Sequence, residues 1–168
     1  MAELTKKVCI IGDFAVGKTS SVARCVNNVF SEKYLTTVGV KIDTKELSLS
    51  NRSEPVKLVI WDIAGTDRFS AVEFSYLRGS NGFILVIDGT RQHTLDVAKK
   101  LRAEAFERYG EQPCVTLINK SDLEDEWQIS DEMVAELDEQ GFMPFVTSAK
   151  TGANVEAAFT RLAELVVD

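Results

Sequence analysis

The octapeptide Gly12-Asp13-Phe14-Ala15-Val16-Gly17-Lys18-Thr19 follows directly on the apolar run Val8-Cys9-Ile10-Ile11, and no other feature of the chain restricts its fold so tightly. It fits G-x-x-x-x-G-K-[ST], a pattern expected by chance in a 168-residue chain on the order of once in two hundred. The short β-branched run reads as a strand buried on both faces. Behind the motif, Val22, Cys25, Val26 and Val29 have helical spacing, predicting a helix from Lys18 to Asn28. Strand, glycine-bearing loop and helix in that order make a phosphate cradle. Gly12 and Gly17 permit torsions and close approaches that a Cβ would block. The N–H groups from Asp13 through Phe14, Ala15, Val16 and Gly17, with the helix start at Lys18, Thr19 and Ser20, then point at a β-phosphate. Lys18 brings a point charge to the β- and γ-phosphates, and the Thr19 hydroxyl is a hard oxygen ligand for Mg²⁺. This loop implies a nucleoside triphosphate without saying which base.

The rest of the chain alternates in period. Val38–Leu49 partly alternates apolar and polar residues, and the polar turn 50–55 separates it from Val56–Trp61, which predicts an antiparallel hairpin. Strands follow at Phe83–Asp88, Cys114–Asn119 and Phe145–Ser148, with helices at Leu95–Tyr109, Asp131–Gln140 and Val155–Val167 between and after them. Pro113 stands at a strand start, where its missing N–H costs little. Strands alternating with helices mean an α/β domain with a mostly parallel sheet covered on both faces. At 168 residues, without repeat or linker, one domain over 1–168 is expected.

Composition narrows the function. The 19 Lys+Arg against 26 Asp+Glu give a net charge of −7, which argues against nucleic-acid binding. Cys9, Cys25 and Cys114 are odd in number and lack C-x-x-C spacing, as expected of reduced, packed thiols in a cytoplasmic protein. The N-terminus shows neither a signal peptide nor a myristoylation site, and no apolar run is long enough to span a bilayer.

Ligands in such sheets bind at the carboxyl ends of the strands. The third strand ends in Asp62-Ile63-Ala64-Gly65, placing Asp62 to hold Mg²⁺ through water and the Gly65 N–H near a γ-phosphate oxygen. Thr37, before the second strand, is a second hydroxyl available to the same ion. The fifth strand ends in Asn119-Lys120-Ser121-Asp122 and the sixth in Ser148-Ala149-Lys150. A carboxylate at Asp122 accepts two hydrogen bonds from an edge presenting N–H and NH₂ together, as guanine does and adenine does not. Sites of that kind discriminate by roughly 10⁴–10⁵. The Asn119 amide can meet N7, the Lys120 stem can cover a ring face, and the Ala149 N–H can reach O6.

With these motifs in this order the chain resembles the Ras superfamily of small GTPases over essentially its whole length. The Rab branch is most similar, on Thr37-Val38-Gly39-Val40, Trp61-Asp62-Ile63-Ala64-Gly65, Arg68-Phe69 and Tyr76-Leu77-Arg78-Gly79. The resemblance implies a P-loop NTPase (Ras-like) three-layer sandwich whose six-stranded sheet has one antiparallel edge strand. It implies a GTP/GDP switch with Mg²⁺ and slow hydrolysis. Effectors, an exchange factor and a GTPase-activating protein would act through segments 30–42 and 65–77. Phe30 matches the aromatic that covers the guanine edge, Tyr34 the one that closes over the phosphates, and Lys18, Thr37, Gly65 and position 66 the groups around the reacting phosphate. Ile42, Trp61 and Tyr76 match the hydrophobic triad Rab proteins present to effectors; ordinary half-buried packing is the competing reading.

Three departures qualify that picture. Thr66 stands where family members usually carry the Gln that orients the attacking water. The Rap branch also has Thr there, and its activating partners supply an Asn side chain. Phe14 occupies a place that is commonly small, where a benzyl group crowds an incoming arginine. The chain ends at Asp168 without a C-terminal Cys motif, so no lipid anchor is visible in these residues and membrane association is expected only through a lipidated tail or a partner outside them; a monomer is expected. A rival reading is a GTP-binding scaffold that barely hydrolyses; another, an ATP-using kinase, conflicts with Asp122 and Ala149. His93 reads as a solvated helix-start residue, Asn51-Arg52-Ser53 as an unused glycosylation sequon, and Asp122–Glu126 as a solvated face. Arg24 and Arg91 are too generic to carry a role from sequence.

Overall fold

A computed structural model describes residues 4–13, 15–26, 40–50, 52–63 and 74–167. The strands are β1 (Leu4–Gly12), β2 (Val40–Leu47), β3 (Val56–Ile63), β4 (Gly82–Asp88), β5 (Cys114–Asn119) and β6 (Pro144–Val146). The helices are α1 (Lys18–Val26), α2 (His93–Tyr109), α3 (Asp131–Glu139) and α4 (Val155–Val166), with a 3-10 turn at Glu124–Glu126. The six strands lie in the order β2-β3-β1-β4-β5-β6. Among the described residues only the β2–β3 pair is antiparallel, with Val40 opposite Ile63 and Leu47 opposite Val56. The fold class expected from sequence is the one observed, with β2 as the antiparallel edge strand.

The continuous apolar runs have a simple cause. Every residue of β4 and β5 is buried, because each strand is covered on both faces. Successive side chains alternate between two cores. Val8, Ile10, Ile84, Val86, Val115 and Leu117 pack with Val22 of α1 and with Phe159 and Leu162 of α4. Cys9, Ile11, Phe83, Leu85 and Ile118 pack with Leu95, Ala98 and Leu101 of α2 and Leu137 of α3. A Cβ at Gly82 would meet Pro113 O at 2.9 Å, so β4 opens on a close backbone approach.

Several boundaries differ from the expected ones, and three of the differences bear on the site or the core. β1 begins at Leu4 rather than Val8, because its first half pairs only with β3, from Leu4 opposite Val56 onward. β6 is three residues, Pro144–Val146, rather than Phe145–Ser148. Thr147 keeps backbone bonds to Ile118 O and from Ser121 N beyond the strand, and the hydroxyls of Thr147 and Ser148 bond Asn119 and Asp122, described below. α2 starts at His93, two residues before the first apolar position. Among the described residues no helix is long and apolar enough to cross a membrane.

Candidate functional site

The parallel strands β1, β3, β4, β5 and β6 all end on one edge of the sheet, and the loops leaving them converge there. Gly12 closes β1, where a Cβ would stand 2.6 Å from Val86 O of the adjacent strand. The loop then turns through Ala15 at φ +59° and Gly17 at φ +102°, and a Cβ on Gly17 would collide with the Asn119 amide. Lys18 and Thr19 open α1, as the motif predicts.

The Lys18 side chain lies inside the loop, 6% exposed, and its Nζ donates to the carbonyl oxygens of Gly12 (3.4 Å) and Asp13 (3.1 Å). Burial lowers its pKa, against the opposing pull of Asp62 and Asp13. Asp62, near the end of β3, is buried and accepts a 2.5 Å hydrogen bond from Thr19 Oγ1 on its Oδ2. Its other oxygen, Oδ1, is buried without a hydrogen-bond partner among the described residues. Burial raises the Asp62 carboxyl, while the Thr19 hydroxyl and the Lys18 charge oppose that rise. No cluster of three His, Cys, Asp or Glu side chains is arranged for a metal among the described residues. One hydroxyl and one carboxylate with a spare buried oxygen nevertheless suit a cation that takes most of its oxygens from phosphate and water, as Mg²⁺ does.

A cavity of about 460 Å³ adjoins this point. Gly17 and Ser20 line it from the α1 side, Asn119, Lys120, Asp122 and Leu123 from the β5 loop, and Ala149 and Lys150 from the β6 loop. Ser148 Oγ donates to Asp122 Oδ1 at 2.7 Å, and this hydrogen bond holds the Asp122 carboxyl below its ordinary value. Ser148 Oγ in turn accepts from the Thr151 N–H at 3.1 Å. Asp122 thus presents an ionised carboxylate at the cavity wall.

The Asn119 amide and the Ala149 N–H, groups that the sequence places to meet N7 and O6 of a base, also bond within the protein. Asn119 Nδ2 donates to Val16 O at 3.0 Å, while Asn119 Oδ1 accepts from the Ala149 N–H at 3.0 Å and Thr147 Oγ1 at 3.4 Å. Asn119 is therefore first a brace between three loops. One hydrogen of its NH₂ remains for a ligand, and an oxygen reaching the Ala149 N–H has to share that hydrogen with Asn119. Lys120, at φ +73°, donates from Nζ to Ala15 O (3.1 Å) and Asp88 Oδ2 (2.9 Å). Its head is anchored under the phosphate loop, and its stem lines the cavity.

Asp88 is a site residue that the sequence reading missed. It ends β4 on the same edge and accepts from Lys120, from Arg91 Nε at 2.9 Å, and from Thr90 N and Oγ1 at 2.8 and 2.6 Å. A carboxylate terminating a strand at this edge was the available signal. Burial alone would raise the Asp88 carboxyl, but the bonds from Lys120, Thr90 and Arg91 overcome it and hold its pKa at about 2. A depressed folded-state pKa contributes stability that is complete above the unfolded value and lost as pH falls toward the folded one. The parent is therefore expected to exceed Asp88→Asn by about 2 kcal/mol at about pH 6, with the gap narrowing below about pH 4. Urea melts across that range check it, and a gap independent of pH would mean that the charge of Asp88 is not what stabilises.

Phe14, Phe30, Tyr34, Thr37, Gly65 and Thr66 lie outside the described residues, as does Asn51. His93 is 64% exposed, yet its Nε2 lies 3.6 Å from Asp13 Oδ2. The Glu124–Glu126 run is a solvated 3-10 turn, as expected. Ile42 is 38% exposed, and Trp61 and Tyr76 stand with ring centroids 6.2 Å apart, with Lys7 Nζ 3.9 Å above the Trp61 ring.

Comparison with known proteins agrees with this geometry. A family model described as the Ras family matches residues 7–168. The chain is 36% identical to Ras-related protein Rab-1 of Theileria parva over 165 residues, covering 96% of this chain and 74% of that protein. It is 37% identical to Ras-related protein Rab-3C of Bos taurus over 164 residues, 96% of this chain and 71% of the relative. With human Ras-related protein Rab-27B it shares 35% over 172 residues, at 96% and 79% coverage.

Proposed function

The chain belongs to the Ras family, as a Rab-like small GTP-binding switch, and from that premise we propose how its own residues hold and hydrolyse the nucleotide. The observation that carries the reading is the bracing of the phosphate loop by the base loop. Asn119 bonds Val16 O and Lys120 bonds Ala15 O, so one nucleotide can span the cavity and the Gly12–Thr19 turn.

In this reading, residues 1–168 form one G domain. Asp122 takes the N1 and N2 hydrogens of guanine, Lys120 covers the ring with its stem, and the loop at Ser148, Ala149 and Lys150 faces O6. The N–H groups from Asp13 to Ser20, including Phe14, receive the phosphate oxygens, and Lys18 turns its ammonium from the loop carbonyls onto the β- and γ-phosphates. Thr19, Thr37 and Asp62 would hold Mg²⁺, which would supply charge neutralisation to the phosphates. The buried free oxygen of Asp62 supports that assignment. Phe30 and Tyr34 close the base and phosphate ends. Hydrolysis needs a water in line with the γ-phosphate; Gly65 holds the phosphate and Thr66 stands where the water is oriented. Effectors and the exchange and activating partners engage 30–42 and 65–77.

Thr66 favours a second reading, a scaffold that binds GTP and hardly hydrolyses it. A threonine hydroxyl reaches less far than a carboxamide and cannot both donate to and accept from water and phosphate in one geometry. Unassisted turnover is therefore expected to be no faster than the ~10⁻⁴ s⁻¹ scale of Ras-type proteins. Thr66→Gln should raise it, or Thr66→Gln with Phe14→Gly if the benzyl group blocks the new side chain. Single-turnover phosphate release from GTP-loaded protein measures this. Fast release by the parent would show that another group orients the water; no release at any partner-free condition favours the scaffold. The nucleotide retained on purification, read by chromatography of the denatured protein, tests the guanine assignment itself.

A further inference from the structure

Helix α1 begins with the phosphate-binding turn, and one of its side chains reaches across to the base loop. Arg24 Nε donates to Ala149 O at 3.0 Å, and Arg24 Nη2 donates to Lys150 O. The two carbonyls are 125 and 126 residues away in sequence. The same side chain packs on Gly152, at φ +89°, where a Cβ would stand 3.3 Å from Arg24 Cδ. Arg24 is six residues beyond Lys18 on a helix of nine residues, so the guanidinium and the phosphate-facing ammonium ride on one rigid element.

We propose that Arg24 is a positioning residue of the nucleotide site, holding the Ala149–Lys150 peptides against α1 so that the base loop and the phosphate loop keep one spacing. The inference rests on the guanine reading given above. Its physical basis is the pair of adjacent carbonyls. A planar guanidinium has donors spaced to take two acceptors at once, and fixing the carbonyls of Ala149 and Lys150 fixes the rotation of the chain that follows the Ala149 N–H. That N–H already serves Asn119 Oδ1 at 3.0 Å, so a small rotation decides whether it can also serve an oxygen in the cavity. The loop's own bonds, Thr151 N to Ser148 Oγ and Gly152 N to Ser148 O, hold its internal turn but do not tie it to α1. Arg24 supplies that tie.

The test compares the parent chain with Arg24→Ala and Arg24→Lys, each loaded with GDP and, separately, with 6-thioguanosine diphosphate. The thio nucleotide keeps the N1 and N2 hydrogens for Asp122 but presents sulfur, a weaker acceptor, at position 6. Losing two charge-assisted hydrogen bonds that act at second hand is expected to speed GDP release about tenfold in Arg24→Ala. Release of the thio nucleotide should accelerate less, so the ratio of the two rates narrows. Arg24→Lys, whose ammonium reaches one carbonyl, should fall between parent and alanine variant. Equal acceleration of both nucleotides, or GDP release within twofold of the parent, overturns the proposal. If Arg24→Ala does not fold, the rate ratio in Arg24→Lys decides alone. A parent that retains no guanine nucleotide overturns the underlying reading instead, and is seen before any variant is made.

Discussion

Asp122→Asn is expected to weaken GTP by roughly 10⁴-fold or more and to make xanthosine triphosphate the preferred ligand. The expectation follows from the donor and acceptor count at one wall of the cavity. Asp122 presents a carboxylate whose Oδ1 accepts from Ser148 Oγ at 2.7 Å, and that bond keeps it ionised. An ionised carboxylate has only acceptors, which match the paired N1 and N2 hydrogens of guanine. An Asn in its place turns an NH₂ group toward those hydrogens, donor against donor, and a buried unmatched pair costs far more than a missing contact. Xanthine carries a carbonyl where guanine carries the amino group, so the same NH₂ becomes a match. Ser148 can still donate to the Asn carbonyl oxygen, and the loop geometry from Ser148 to Thr151 survives. The change is therefore one of chemistry, with shape kept. Competition of GTP and xanthosine triphosphate for the purified variant reads the effect. An unchanged preference would remove Asp122 from base recognition.

What the sequence made legible, and what it hid, follows from the range of the interactions. The phosphate turn and the strands β1, β4 and β5 are local patterns: apolar residues in unbroken runs, glycines where φ is positive or backbones touch. A mostly parallel sheet with one antiparallel hairpin was legible from strands alternating with helices, whereas the order of the strands is seen only in the structure. The bracing inside the site did not. Arg24 meets Ala149, Asn119 meets Val16, and Lys120 meets Asp88 and Ala15, each across a long stretch of chain with no periodic trace. Asn119 was readable as a guanine-facing amide but not as the brace of three loops, because two of its three partners are backbone atoms and carry no signature in residue type. β6 was misplaced for a related reason. Thr147 and Ser148 have the look of strand residues, and Thr147 N still bonds Ile118 O at 2.9 Å, but their hydroxyls are spent on the adjacent loop.

Lys18→Ala is expected to lose triphosphate binding by roughly 10²–10⁴-fold while leaving the chain folded. Lys18 is 6% exposed, and its ammonium lies within the curve of Gly12 and Asp13. Asp62 and Asp13 are the carboxylates whose charges act on it, so its removal leaves their negative charge near the loop without that ammonium. Each charge-assisted contact to a phosphate oxygen is worth about 1.5–3 kcal/mol, and a lysine that bridges two phosphates makes two of them. Lys120, another ammonium on these loops, is already engaged by Asp88 Oδ2 at 2.9 Å and Ala15 O at 3.1 Å. Folding should tolerate the change, because burial already lowers the Lys18 pKa and the bonds it gives up are to carbonyls that water in the opened loop can satisfy. Equilibrium binding of GTP with Mg²⁺ gives the affinity, and a thermal melt without nucleotide gives the control. Affinity within tenfold of the parent would mean that the loop's N–H groups carry the phosphates without this charge. A melt lowered as far as the affinity would mean that Lys18 serves the fold before it serves the ligand.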